Sequence, residues 1–188
     1  MNQRKVAIVI LAIMTAVLLL NSSVFDLMAD DDVKARETLK GLKGVYVWVN
    51  FSTSDSEALE KTGLSEEILR TDVELKLRLA GINVVSKEEI YSVPGMPQLA
   101  VQIAEYVTST LPSTQDKQIA FNICVELLQA IYLARNPTIT TVTRTWSSGS
   151  IGMGYTNKNI VTQIRNCIKD HVDSFINAYL SVNPKGGN

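Results

Sequence analysis

The sequence predicts an α+β domain in which a mainly antiparallel sheet of about five strands is covered on one face by two amphipathic helices. Three observations lead to this prediction. Stretches of alternating apolar and polar residues recur along the chain, as they do in half-buried strands. Two other segments repeat their apolar residues at helical spacing. Most of the predicted strands follow one another without a helix between them, which favours antiparallel neighbours.

The first predicted strand and helix lie between Gly44 and Gly81. In "GVYVWVNFS", the residues alternate as in a strand with one buried face. A polar loop, Ser52–Gly63, leads to "LSEEILRTDVELKLRLAG". Ser65 can cap this helix at its start, and Gly81 can end it. Its predicted buried side contains Leu69, Val73, Leu77 and Ala80, flanked by Ile68.

Four further strands and a long helix are predicted after Gly81. The strands are the short stretch "INVVS", then "LAVQIAEYVTS", "IAFNICVELLQAIYLA" and the threonine-rich "TITTVTRTW". A glycine-rich connection then leads into a helix that ends before Pro184. One side of this helix is apolar and consists of Ile160, Val161, Ile164, Cys167, Ile168, Phe175, Ile176 and Tyr179.

The N-terminal residues have the features of a targeting segment. Arg4 and Lys5 precede an uncharged apolar stretch, Val6–Leu20, which ends in polar residues. A cationic start followed by such a stretch is typical of a secretion signal. Residues 1–29 are therefore predicted to be either a signal peptide cleaved after Ala29 or an anchor that spans the inner membrane with residues 6–28. The predicted protein is exported and periplasmic, with a linker at 30–37, one domain at 38–184 and a tail at 185–188.

Composition limits the classes of partner. The chain has 188 residues and a formal net charge of −1, so it lacks the basic excess of a nucleic-acid-binding protein. Its two cysteines are predicted to be free thiols. Cys124 lies on the polar side of its predicted strand, whereas Cys167 lies on the apolar side of the last helix. These two positions are expected to be on opposite sides of the sheet, too far apart for a disulfide.

The stretch "GSIGMGYT", Gly149–Thr156, resembles a phosphate-binding loop but lacks its lysine. The nucleotide-binding pattern is G-x-x-x-x-G-K-[ST], and Tyr155 occupies the lysine position. Without that charge we expect no nucleotide site, and the glycines are interpreted as a connection between sheet and helix. Two interpretations stay open for the apolar residues here: they cover the edge of the core, or some are exposed and bind a partner. These residues are Trp146, Ile151, Met153 and Tyr155.

The sequence contains no signature of an enzyme. His171 is the single histidine, so a Ser-His or Cys-His mechanism would have to use it. Cys167 and His171 are one helical turn apart, but a zinc site needs three or four ligands. We therefore expect His171 to be a partly exposed helix residue. The sequence predicts no catalytic residue, no cofactor and no metal.

Several stretches carry a resemblance to a known family. They are "LKGLKGVYVWV", "RTDVELKLRLAGI", "VELLQ", "RTWSSGSIG" and "FINAYLSVNPK", within Leu39–Lys185. In these stretches the chain is similar to a family of exported bacterial proteins of uncharacterised function. The order of its segments also resembles small α+β modules of the cell envelope that bind other proteins, such as the N-terminal domain of TolB. The resemblance implies export and an envelope setting, and it transfers no functional residue.

Two functions are therefore open. The first is a non-catalytic envelope module that binds a protein partner. The second is a carrier or sensor of an apolar small molecule held between the sheet and the helices. Nucleic acids and nucleotides are expected to be absent from the partners, and the membrane is a partner only if the N-terminal segment is retained.

The N-terminal charges predict the side of the membrane on which the domain lies. Because Arg4 and Lys5 stay on the cytoplasmic side, the residues after 30 should lie outside the cytoplasm. A reporter that is active only in the cytoplasm, fused to the C-terminus, should give no signal. Replacing Arg4 and Lys5 with Glu should weaken export, and a strong signal from the unaltered chain would contradict this prediction.

Overall fold

The structure is a computed structural model that describes residues 25–26, 31–53, 63–110, 117–155 and 158–184. Apart from Phe25–Asp26, the predicted targeting segment lies outside these residues, as does the predicted tail. None of the helices in these ranges has both the length and the apolar character needed to cross a bilayer.

The described residues form a five-stranded sheet and three α-helices, which confirms the predicted α+β fold. The elements in chain order are β1 (Phe25–Asp26), α1 (Val33–Glu37), β2 (Tyr46–Thr53), α2 (Glu66–Leu79), β3 (Gln98–Thr110), β4 (Lys117–Leu133), β5 (Asn136–Tyr155) and α3 (Lys158–Val182), with a short 3-10 helix at Glu89–Ser92. The predicted linker, residues 30–37, contains α1.

The sheet is mixed, with the order β1-β5-β4-β3-β2. Neighbouring strands are antiparallel except for β2 and β3, which run parallel. The parallel pair follows from the chain order, because α2 lies between these two strands and returns the chain to the same end of the sheet. β4 and β5 continue past the start of β3 and form a two-stranded ribbon whose tip, residues 134–142, is exposed.

Two predictions about strands are wrong. The stretch "INVVS" forms only an isolated bridge, in which Val84 pairs with Val45. Of the predicted connection Gly149–Thr156, the residues Gly149–Tyr155 belong instead to β5, which stays paired with β4 as far as Tyr155, and Thr156 lies outside the described residues. Its glycines provide space rather than a turn, since a Cβ on Gly152 would lie 2.3 Å from Phe121 Cζ. Glycine within a strand often marks such a close approach.

The helices cover one side of the sheet, called the inner face here. The helix α2 begins as predicted, with Ser65 Oγ accepting a hydrogen bond from Ile68 N at 3.2 Å, although Ile68 itself is exposed. Trp146 is completely buried on the inner face, and its ring meets Phe175 of α3 edge-on with centroids 5.3 Å apart. The other buried residues that α2 and α3 contribute to this core include Leu69, Val73, Leu77, Ile160, Ile164, Ile168 and Val172.

Asp31 fixes the start of the described domain to its core. Trp146 Nε1 donates a hydrogen bond to Asp31 Oδ1 at 2.9 Å, and Arg36 forms two hydrogen bonds to the same carboxylate. Burial alone would raise the pKa of Asp31. The hydrogen bonds from Arg36 and Trp146, together with the positive charge of Arg36, outweigh burial and lower this pKa below 3.8.

Replacing Asp31 with Asn should lower the free energy of unfolding by about 1 kcal/mol at neutral pH. A lowered carboxylate pKa stabilises the fold above the unfolded value of 3.8, and this contribution is lost as the pH falls below it. The difference between the two proteins should therefore shrink below pH 3.8, as measured by denaturant unfolding. Glu37→Gln is the control, because its 4.0 Å pair with Lys40 is exposed. A difference independent of pH would contradict the prediction.

Candidate partner-binding surface

The four residues predicted as a contact group lie on opposite faces of β5. Trp146 points to the inner face and is completely buried, so the folded domain does not present it to a partner. Ile151, Met153 and Tyr155 alternate with the inner positions and point to the other side, called the outer face here. Of the four possible contact residues, Trp146 therefore belongs to the core, and Ile151, Met153 and Tyr155 are exposed.

Tyr106 of β3 joins the three outward residues of β5. Across the sheet, Met153 and Tyr106 are both register partners of Ala120, so only a small side chain lies between them. We call these four residues the outer patch, and their exposed fractions are Tyr106 62%, Ile151 37%, Met153 57% and Tyr155 39%. They form a group of aromatic and apolar side chains on the face of the sheet opposite α2 and α3.

The alternation of β3 was the signal for Tyr106. Leu99, Val101 and Ile103 are buried on the inner face, which places the even-numbered residues on the outer face. Tyr106 is far from the glycine-rich stretch in the sequence, so the aromatic residues of that stretch did not point to it. Tyr106 lies close to that stretch only because β3, β4 and β5 are neighbours in the sheet.

Next to the outer patch, the outer face is polar. Glu126 accepts hydrogen bonds from Arg144 at 2.8 Å, from Gln102 at 3.1 Å and from the Cys124 thiol at 3.4 Å. Asn122 is the register partner of Ile151. Its Oδ1 is shielded from solvent and has no hydrogen-bond donor among the described residues. A buried acceptor without a donor is costly to the fold.

His171 is buried between α3 and β5, so its prediction as a partly exposed residue is wrong. Its Nδ1 lies 2.8 Å from Ser148 Oγ and its Nε2 lies 2.7 Å from Ser150 Oγ. Cys167 Sγ is 3.0 Å from Ser150 Oγ. The spacing in the sequence could have shown this burial, because His171 is one turn from both Cys167 and Phe175 on the apolar side of α3.

The arrangement around His171 has the order of a catalytic relay: a hydroxyl, an imidazole and a second hydroxyl that orients the ring. All three side chains of this arrangement are buried. Ser150 is 2% exposed and His171 7%, and both lie beneath α3 in the packed contact with β5. In this conformation a substrate would not reach Ser150. The hydrogen bonds instead satisfy polar groups that helix packing has buried.

The described residues offer little for a metal or an interlayer ligand. In the ranges that the structure covers, no three His, Cys, Asp or Glu side chains are grouped to hold a metal ion. A cavity between α2 and α3, lined by Leu69, Asp72 and Arg165 among others, has a volume of only about 10 Å³. That volume is about the space of one water molecule. A larger open groove of about 340 Å³ lies outside the layers, between Tyr91–Met96 and the base of the ribbon.

No family model matches the chain. No curated protein matches it either. Among solved structures, a PelC dodecamer from Paraburkholderia phytofirmans is similar, with 14% identity, 80% of this chain and 94% of that chain covered, and a TM-score of 0.41. Rare lipoprotein B from Shewanella oneidensis has 14% identity, coverages of 72% and 95%, and a TM-score of 0.35. A minor lipoprotein from Acinetobacter baumannii has 9% identity, coverages of 72% and 91%, and a TM-score of 0.30. The structural neighbours thus include bacterial lipoproteins.

The two cysteines are free in the structure and lie on opposite faces of the sheet, as predicted. Burial, followed by the negative charge of Glu126, raises the pKa of Cys124 to about 12. We expect Cys124 to react with iodoacetamide far more slowly in the folded protein than in denaturant at mildly alkaline pH, because the thiolate is the reactive form. Peptide mass spectrometry measures this. Rapid labelling of Cys124 in the folded protein, or an intact unreduced mass two hydrogens too low, would contradict the prediction.

Proposed function

We propose that this chain is a non-catalytic, exported module of the bacterial cell envelope that binds a protein partner through the outer patch. The observation that carries the proposal is the position of Tyr106, Ile151, Met153 and Tyr155 together on the sheet face opposite the helices. Aromatic residues and methionine are enriched at protein interfaces, and a few buried aromatic anchors supply most of the binding free energy.

The surroundings of the outer patch also favour a protein as the occupant. Asn122 offers a shielded acceptor beside Ile151, and Glu126 and Arg144 form an ion pair farther along the same face. An apolar centre next to polar and charged groups is the usual composition of an interface between proteins.

Three observations support the remaining parts of the proposal. The cationic and apolar N-terminal segment supports export to the periplasm. If the segment is retained as an inner-membrane anchor, the anchor ends before Phe25 and not at the expected residue 28, because Phe25–Asp26 pair with β5. The burial of Ser150 and His171 supports a function without catalysis. The filled contact between α3 and the sheet, where Trp146 meets Phe175, favours partner binding over transport of an apolar molecule between the layers.

The proposal predicts that Met153 and Tyr155 contribute to binding and little to stability. Because both side chains are exposed, the double variant Met153→Ser and Tyr155→Ser should keep its melting temperature within a few degrees. A photo-crosslinking residue at Tyr106 should capture a discrete envelope protein in cells, and the double variant should abolish this product. ATP and GTP should change neither measurement.

The matched control is Tyr132→Ser, which removes an exposed aromatic residue of the ribbon that lies outside the outer patch. It should leave the crosslinked product unchanged. The proposal fails if the double variant still forms the product at the normal yield. It fails also if the double variant loses several degrees of melting temperature, since Met153 and Tyr155 would then stabilise the fold itself.

A further inference from the structure

β5 lies next to one edge of the sheet, and among the described residues the strand beyond it is the two-residue β1. β1 pairs with β5 antiparallel, with Phe25 opposite Ile151 and Asp26 opposite Ser150. β5 itself continues through Gly152 to Tyr155. An edge strand presents backbone N–H and C=O groups that pair readily with another extended segment.

The covering strand comes from the predicted targeting segment. Phe25–Asp26 precede Ala29, after which cleavage is predicted, so that cleavage would remove β1 from the chain. The fixed part of the domain begins just afterwards, where Asp31 bonds to Trp146 and Arg36. These contacts do not involve β1, and they would hold α1 in place after the segment has gone.

An extended segment paired with β5 would lie directly beside the outer patch. Ile151 belongs to the patch and is also the register partner of Phe25. In an antiparallel pair, residues opposite each other point to the same face and their Cα atoms are about 4.5–5.5 Å apart. A partner strand that carried an apolar side chain at the position of Phe25 would therefore place that side chain next to Ile151. The backbone of the partner strand would form hydrogen bonds with the backbone N–H and C=O groups at the edge of β5.

We propose that the edge of β5 at Ser150–Ile151 is a strand-binding site, filled by Phe25–Asp26 in the unprocessed chain and opened to an extended segment of the partner when residues 1–29 are removed. Removal is hydrolysis of the Ala29–Asp30 peptide bond by a processing protease. It consumes one water and leaves a carboxylate on Ala29 and an amino group on Asp30. This inference rests on the proposed function and adds the conformation in which the partner binds.

The first experiment tests the resident strand in the full chain, purified in detergent. Phe25→Cys combined with Ile151→Cys should form a disulfide under mild oxidation, because opposed residues of an antiparallel pair meet its distance requirement. Phe25→Cys combined with Met153→Cys is the matched control, two residues out of register on the same face. The register pair should crosslink at least about tenfold faster than the control, since diagonal neighbours are about 7–8 Å apart. Equal rates would overturn the assignment of β1 as the resident strand.

The second experiment tests whether the edge accepts a strand from another molecule. A protease recognition sequence is inserted between Ala29 and Asp30 of the full chain, and the folded protein is cleaved and washed. A labelled peptide of sequence NSSVFDLMA, residues 21–29, should bind the cleaved protein. The uncleaved protein should not bind it, because its own tethered segment competes at a high effective concentration.

A peptide with proline in place of Phe25 is the matched control. It should bind at least about tenfold more weakly, because proline removes a backbone donor and is excluded from paired strands. Equal binding of the two peptides, or no binding to the cleaved protein, would overturn the strand-binding site. The cleaved protein could instead self-associate and thereby exclude the peptide. This result would show that a second copy of the chain fills the edge of β5, and it would overturn the proposal that a segment of a different protein binds there.

These outcomes are separable from those of the proposed function. If crosslinking at Tyr106 still depends on Met153 and Tyr155 but the peptide does not bind, the outer patch remains the partner site and only the β5 edge is excluded. If the peptide binds and no envelope protein crosslinks to the patch, the proposed function fails while the edge remains a strand-binding site.

Discussion

The close approach of α3 to β5 is the contact on which the rest of the structure depends. The inner positions of β5 after Trp146 are Ser148, Ser150, Gly152 and Gly154, all with small side chains or none. A Cβ at Gly154 would lie 2.6 Å from Ile160 Cδ1, so the first turn of α3 has room only because that atom is missing. Small residues on the strand thus allow a long apolar helix to pack on it.

The same contact explains why a polar group lies inside the core. At this short distance the serine hydroxyls of β5 reach the ring of His171, which bonds to both of them within 2.8 Å. A buried polar group needs partners with defined geometry, whereas apolar side chains can slide past one another. We infer that these hydrogen bonds fix the position of α3 along β5, in addition to filling space.

Much of the fold could be predicted because periodicity reports which side chains are buried. The helix α2 has its predicted cap at Ser65, and β3 and β4 have the predicted alternation. The parallel pairing of β2 with β3 was not visible, since it depends on the path of the chain around α2. The end of β5 was missed because glycine indicates a turn in local reasoning, while Gly152 here accommodates Phe121 from the adjacent strand.

The candidate site was predictable in part for the same reason. Three of its four residues, Ile151, Met153 and Tyr155, were predicted from a short stretch of sequence. Trp146 was included as well, although it is an even-numbered residue of β5 and therefore points to the inner face. Tyr106 required knowledge of which strands are neighbours. The two-residue strand β1 is too short for any periodicity, and its pairing depends on the edge that β5 presents.

The position of β1 sets the length of a tether. Four residues, Asn21–Val24, separate the end of the apolar stretch from Phe25, and four fully extended residues span at most about 14 Å. In a protein that keeps its anchor, the edge of β5 would therefore stay within that distance of the bilayer surface. A cleaved protein would diffuse freely. Under the proposed processing, cleavage would thus decide whether this surface stays close to a membrane or is released from it.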